Sequence, residues 1–389
     1  IILPNGKPVM LKGVNLGGWL MMEAYILYAQ NFPECKFKKE FSLALGQKAL
    51  FSFERKYREN FIREDDIKNI ARLGFNCIRV PFHYRLVEKS PYRYDLHGVR
   101  FLDQIVKWAG KYNIWAILDL HAAPGAQNHD WHSDSRGKAE LWTNPAHQKR
   151  TFALWEFLAD RYKNEEYVAG YDLLNESVLE DARVLNRFYK DLIARIRSVD
   201  RGHILFVEGN AWATDLDCLE EYDDGNYALS IHNYEPLQFT FNFTCHQTYP
   251  LKPPHGRWNK SVICRNLSRY KKISQQRGVP ILAGEFGVNA RRGHFGEDRW
   301  LADMIANFNE LGFHWTYWTY KAVKSHVFPD GIYSYVDNPP WVNRAGPLTG
   351  WDTYKTHWVK RQKEMIRSWR TEQFLANHEI MKALRNGLR

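Results

Sequence analysis

The sequence predicts a single (β/α)8 barrel of the TIM type, decorated by long loop insertions. Three observations carry that prediction. Eight short apolar, β-branched runs recur along the 389 residues. Amphipathic helical patterns separate them, and no Gly-rich dinucleotide loop follows any of them. Strand–helix alternation implies a parallel sheet, whose strands are buried on both faces and read as continuous apolar runs. Eight such units favour closure into a barrel over an open doubly wound sheet.

The strands are expected at Val9–Asn15, Asn76–Pro81, Ile114–His121 and Val168–Glu176, then at His203–Gly209, Ala228–Tyr234, Pro280–Gly287 and His314–Tyr320. Between them, Glu64–Gly74 places Ile67, Ile70, Ala71 and Leu73 on one helical face and stops at Gly74, as a helix should. His97–Tyr112 reads the same way. No linker interrupts the chain, so residues 1–389 are expected to form one catalytic domain. Insertions are expected after the first strand (Met21–Phe61), after the sixth, and after the eighth (Lys321–Trp351), with a basic helix from about residue 353.

Composition limits the function. The net charge is +10, and much of the excess is local. From Tyr354 onward there are nine Lys and Arg against three Glu, interleaved with apolar residues. That is a solvated helix face, and no nucleic-acid motif accompanies it, so no nucleic-acid partner is expected. No apolar run is long enough to span a membrane. Aromatic residues reach 15%, with 15 Trp, an unusually high share; flat rings of this kind often line sugar clefts, and large cores use them too.

The five cysteines show no metal spacing, and no metal or other cofactor is expected. Cys77, in an apolar run, reads as a buried thiol. Cys245 and Cys264 flank a loop and could bridge it. Asn242, Asn259 and Asn266 begin Asn-X-Ser/Thr triplets, and with the absent initiator Met they suggest a secreted or periplasmic protein.

Active sites of such barrels stand at the C-terminal ends of the strands. There the sequence places Asn15, then Trp19 and Glu23, from strand 1; Arg79 and His83 from strand 2; Asp119 and His121 from strand 3. Asn175 and Glu176 end strand 4, His232 and Tyr234 end strand 6, Glu285 ends strand 7 and Trp318 lies on strand 8. Strands 4 and 7 face each other across the mouth, so Glu176 and Glu285 can oppose one another. Two carboxylates about 5 Å apart suit retaining glycoside hydrolysis, one attacking the anomeric carbon and one protonating the leaving oxygen. Their proton affinities must then be pushed apart, and Arg79 and Tyr234 could hold one of them ionised.

The motifs "GVNLGGWLMMEAYI", "FNCIRVPFHY", "LDLHAAPGAQN", "LLNES", "SIHNY", "ILAGEFG" and "WTYWTYK" resemble, in order, the strand-end motifs of glycoside hydrolase family 5. The first and third resemble in particular its exo-β-1,3-glucanase branch and bacterial cellulase-like relatives. The resemblance implies Glu176 as general acid/base and Glu285 as nucleophile, with Arg79 and Tyr234 orienting Glu285. It implies Asn175 on the sugar 2-hydroxyl, His121 and His232 on hydroxyls or tuning the carboxylates, Trp318 as the stacking floor and Glu23 on outer hydroxyls. Trp19, Asn128 and Asp130 are further expected substrate contacts, Asp130 or Asp134 standing where related exo-enzymes grip the terminal sugar. Ser177 replaces the Pro usual after the Asn-Glu pair.

The expected substrate is a β-linked oligo- or polysaccharide or a glucoside, with exo action preferred because the long insertions could wall one end of the cleft. Alternatives are an endo-β-1,4-glucanase, a mannan-directed hydrolase, an enzyme releasing glucose from a lipid or other aglycone, and a catalytically silent sugar-binding barrel. A metal-dependent hydrolase barrel would need a His-X-His motif that the sequence lacks.

Overall fold

The computed structural model describes residues 6–28, 31–254, 256–291, 293–323, 326–334 and 351–389. Eight parallel strands close a barrel: β1 (Lys12–Asn15), β2 (Cys77–His83), β3 (Trp115–Ala122), β4 (Val168–Asp172), β5 (Ile204–Glu208), β6 (Tyr227–His232), β7 (Ile281–Glu285) and β8 (His314–Tyr317). β1 pairs with both β2 and β8, which closes the ring.

Inward-facing side chains alternate along each strand, and this period of two stacks the interior in layers. The lower layer is apolar: Leu11, Cys77, Ile117, Phe206, Ala228 and Leu282 pack together fully buried. Two residues further along the same six strands stand Gly13, Arg79, Asp119, Glu208, Ser230 and Gly284. The interior therefore changes from hydrocarbon to charge within one repeat. Gly284 is required there, since a Cβ would lie 2.9 Å from Ser230 Oγ and 3.2 Å from His232 Nε2.

The helices form where their signals predict. Glu64–Leu73 opens with three acidic residues and closes on Gly74 at φ 99°, a conformation glycine adopts without strain. Leu96–Lys111 is capped by Asp95, whose Oδ1 accepts the His97 N–H.

Three expectations need correction. β4 stops at Asp172, four residues before Glu176. The chain leaves the sheet there: Asn175 N–H donates to the Leu120 carbonyl and Glu176 takes φ 49°. The insertion after β1 is mostly not a cleft wall. Its helices Glu34–Leu45 and Gln47–Phe61 pack Phe37 against Tyr354, and Phe41 and Phe53 against Trp358 and Trp369, of the C-terminal region. Among its described residues, only the start, with Glu23 and Tyr25, reaches the cleft. The Cys245–Cys264 bridge does not form: Cys245 is exposed on its loop, Cys264 lies within helix Lys260–Arg277, and both are free.

The basic C-terminal helix exists, spanning Trp351–Ser368 with Tyr354, Trp358 and Met365 on its buried face. A second helix, His378–Leu388, follows. Buried Lys321 joins the C-terminal segment to the insertion by donating to the carbonyls of Phe61 and Trp369. Burial lowers its ammonium to about 8. Most of the expected wall after β8, residues 335–350, lies outside the described residues. No helix of the described residues is long and apolar enough to cross a membrane.

Candidate active site

Arg79 is the hub of the charged layer. Its side chain is fully buried, and every nitrogen is occupied. Nε donates to Asp172 Oδ2 at 2.8 Å. Nη1 donates to Glu285 Oε1 at 2.8 Å and Asn15 Oδ1 at 3.1 Å. Nη2 donates to Asn175 Oδ1 at 2.8 Å and Glu208 Oε1 at 3.0 Å, and lies 3.1 Å from Asp119 Oδ2. A buried charge persists only when paired in this way. Burial opposes the guanidinium charge, but Asp119, Asp172, Glu285 and Glu208 hold it firmly.

Glu285, at the end of β7, is fixed at both oxygens. Tyr234 Oη donates to Oε2 at 2.7 Å, while Arg79 holds Oε1. Register pairing sets His232 beside Glu285 across β6 and β7. His232 Nδ1 is 2.7 Å from Glu176 Oε1 and 3.6 Å from Glu285 Oε2. Oxygens of Glu176 and Glu285 and a nitrogen of His232 all lie within 4.8 Å of one another. These three could close on a cation only if His232 gave up its proton.

Glu176 is held through its backbone. Its N–H donates to Glu208 Oε2 at 2.6 Å and its carbonyl accepts from Asn128 Nδ2 at 2.9 Å. His132 Nδ1 lies 3.5 Å from its other carboxyl oxygen. Burial pushes the Glu176 carboxyl up, yet the hydrogen bond with His232 and the charge of His132 outweigh it and hold it down at about 2. Burial opposes the charge on His232, but Glu208 and Glu285 raise it well above the ordinary imidazole range. The Glu176–His232 pair thus holds one proton, and it rests on the histidine.

On the β1 and β8 side, Trp318 stacks on His121 at 5.5 Å with a 4° interplanar angle and donates its indole N–H to Tyr25 Oη. His121 bridges Asp119 (2.8 Å) and Glu23 (3.3 Å). Burial opposes its charge, but the two carboxylates raise its imidazole to about 10. Burial also pushes the Glu23 carboxyl up, against the pull of His121. The open cavity beside these groups has a volume of about 940 Å³.

Glu176, Glu285, His121, His232, Tyr234, Glu23, Asp130 and Trp318 all line this cavity. Arg79 and Asn175 stand directly behind it. Two expected substrate contacts are not on its wall. Trp19 is fully buried and donates its indole N–H to the Arg58 carbonyl, because the turn after β1 points it outward into the helical insertion. Asn128 is buried and spent on the Glu176 carbonyl. Asp134 is engaged by His83 at 2.9 Å, away from the cavity.

Sequence reasoning missed Glu208, Asp172, His132 and Trp212. A signal existed for the first two: each is a lone acid ending an apolar strand, "FVEG" and "GYDLL".

A family model described as cellulase (glycosyl hydrolase family 5) matches residues 38–324. A β-xylosidase of Phanerodontia chrysosporium is 33% identical over 340 residues, covering 83% of this chain and 69% of that protein. Endoglucanase C of Acetivibrio thermocellus is 26% identical over 349 residues, covering 81% and 92%. Glucan 1,3-beta-glucosidase 2 of Wickerhamomyces anomalus is 28% identical over 245 residues, covering 58% and 56%. Among solved structures, the endoglucanase Cel5A of Thermotoga maritima shares the fold with a TM-score of 0.65 at 17% identity, covering 96% of each chain. With a match spanning most of the barrel, the chain belongs to glycoside hydrolase family 5 and is a glycoside hydrolase.

Proposed function

We propose that the protein is a retaining β-glycosidase acting on β-glucans or β-glucosides, with Glu285 as nucleophile and Glu176 as general acid/base. The observation that carries this reading is the pair of carboxylates within 4.8 Å, held in opposite ways. Glu285 accepts from Arg79 and Tyr234, which hold and aim both of its oxygens. Glu176 faces a protonated histidine instead. Such spacing leaves no room for a water between carboxylate and sugar, so inversion is disfavoured.

In the first step a Glu285 oxygen attacks the anomeric carbon and the bond to the leaving oxygen breaks. His232 passes its proton from Nδ1 to Glu176 Oε1, and Glu176 delivers it to that oxygen. The nucleophile's charge is consumed in the ester. In the second step Glu176 takes a proton from water as the water attacks the same carbon, and Glu285 leaves as carboxylate. The Asn175 side-chain NH2 has no partner among the described residues, which suits it to a substrate hydroxyl.

Exo action is the mode we favour. Its support is the wall on the β1 and β8 side, where Glu23, His121 and Trp318 line the cavity, which we read as closing on the outer hydroxyls of the reacting sugar. The relatives named glucan 1,3-beta-glucosidase and β-xylosidase are consistent with this, and those named endoglucanase favour the open-groove alternative. A reducing-end-labelled β-glucan decides between them. Release of glucose with the labelled chain shortening one unit at a time is expected; a spread of mid-length labelled fragments would make it an endo-enzyme. The nucleophile is tested separately with a 2-deoxy-2-fluoro glucosyl fluoride, which should leave a stable ester on the peptide containing Glu285. Label on any other residue would overturn the assignment.

A further inference from the structure

A second open cavity, of about 1330 Å³, shares no lining residue with the catalytic one. The insertion helices Glu34–Leu45 and Gln47–Phe61 form one wall of this groove. The stretch after β2, with the start of helix Leu96–Lys111, forms the other. The lining carries nine Lys and Arg against three Asp and Glu. Those three acids are already engaged. Glu54 pairs with Lys38 at 2.8 Å and Arg58 at 3.1 Å, Glu88 pairs with Arg150 at 2.5 Å, and Asp95 caps its helix by accepting the His97 N–H. Arg100 is met by Glu59 at 3.0 Å. Lys39, Arg55, Arg85, Lys89 and Arg136 are left, all exposed and none with a carboxylate partner among the described residues. Cations gathered in one cleft repel one another, and the cleft focuses their field on an anion.

The groove also holds its cations in place. Arg85 and Arg150 lie over the Tyr84 ring at 5.5 and 5.4 Å, and Arg85 Nε donates to Tyr84 Oη at 2.9 Å. Arg136 Nε donates to Cys35 Sγ at 3.4 Å. A guanidinium fixed in this way keeps its other N–H groups for a carboxylate or sulfate. Phe51, 59% exposed on the helical wall, offers a flat face to sugar C–H groups. A concave track of cations with an apolar ring fits a chain, whereas a bilayer takes a flat or protruding face. The groove borders the catalytic loop as well. After β3, Asp130 and His132 line the catalytic cavity and Arg136 lines the groove. Between them Asp134 ties the loop to the insertion by accepting the Cys35 N–H at 2.6 Å.

We propose that this groove binds a linear acidic polysaccharide, one carrying carboxylate or sulfate groups along its chain, and so tethers the enzyme to an anionic matrix through a surface separate from the catalytic cleft. The test is fluorescence anisotropy with labelled polygalacturonate, dextran sulfate, neutral dextran and oligothymidylate, together with sedimentation on phosphatidylserine vesicles. Lys39→Glu/Arg55→Glu/Lys89→Glu alters the groove. Lys360→Glu/Lys363→Glu/Arg367→Glu makes the same change of charge on the exposed face of helix Trp351–Ser368. The wild type should bind both acidic polymers at about 50 mM salt, more weakly at about 150 mM, and neutral dextran not at all. The groove variant should lose at least about tenfold in affinity and the helix variant less than about threefold. Melting curves report whether each is folded. If the groove variant is not, Lys39→Gln/Lys89→Gln replaces it and should still lose at least about threefold. Failure of the wild type to bind either acidic polymer would overturn the proposal. So would equal losses in the groove and helix variants, unchanged affinity in the Gln variant, or tighter binding to oligothymidylate or vesicles than to either polymer.

Discussion

The two layers inside the barrel differ by a single strand repeat and by everything that matters chemically. Leu11, Cys77, Ile117, Phe206, Ala228 and Leu282 below are hydrocarbon and thiol; Arg79, Asp119 and Glu208 above are charge, with Asp172 and Glu285 beside them. The lower layer has only to fill space. The upper layer surrounds one cation with four carboxylates, an arrangement whose desolvation cost is rarely repaid in stability. The difference separates what holds the barrel closed from what reacts, and each variant below is aimed at one layer.

The largest effect is expected at the two carboxylates proposed to react. Glu285→Gln and Glu176→Gln should each lower kcat on substrates with poor leaving groups at least about a thousandfold. Both variants should stay folded, since each swap keeps the side chain's shape. Near-native turnover in either variant would remove that residue from the mechanism.

Arg79→Met and Phe206→Ala compare the layers directly. Losing Arg79 leaves buried carboxylates uncompensated and should cost roughly 3–5 kcal/mol by denaturant unfolding, together with activity. Phe206→Ala should also cost about 3–5 kcal/mol, but the folded fraction should turn over at near the wild-type rate. If Phe206→Ala lowered kcat as far as Arg79→Met, the two layers would not be separable.

A smaller effect is expected from Glu208→Gln. Glu208 raises the His232 imidazole and holds the Glu176 N–H. Neutralising it should lower the His232 pKa, so the alkaline limb of kcat/KM should move to lower pH. A purely structural role would lower kcat without moving that limb.

The smallest effect concerns stability against pH. The His121 imidazole is raised from 6.5 to about 10 in the folded protein. A group raised in this way stabilises fully below its unfolded value and loses that contribution as pH rises from 6.5 towards 10. Thermal unfolding at pH 6 and 9 should therefore show a decline that His121→Phe flattens. An equal decline in the variant would assign it elsewhere.

Much of this was legible in the sequence, and the losses have physical causes. Barrel strands read well because burial on both faces leaves continuous apolar runs. Strand-end residues such as Arg79 and Glu285 were placed at the barrel mouth because the period of two carries to the last paired residue. Glu176 was placed at the cavity but misplaced as backbone, since nothing in "LLNES" announces a chain leaving the sheet at a left-handed residue. Trp19 and Asn128 were misread because nearness to a strand end does not fix side-chain direction in a loop. Trp212 was invisible for the same reason: no glycine marks its turn, and Asp130, which holds it, is 82 positions away. The helical insertion after β1 was expected at the cleft because its partner, the C-terminal helix, is more than three hundred residues distant in sequence.

The central claim is that the charged layer carries out a double displacement through Glu285 and the Glu176–His232 pair. Proton NMR of the first product formed from a β-glucoside tests it most directly. The account predicts that the β-anomer appears first and the α-anomer only later, by mutarotation. An initial α-anomer would contradict it, because inversion requires a water where this geometry puts a carboxylate.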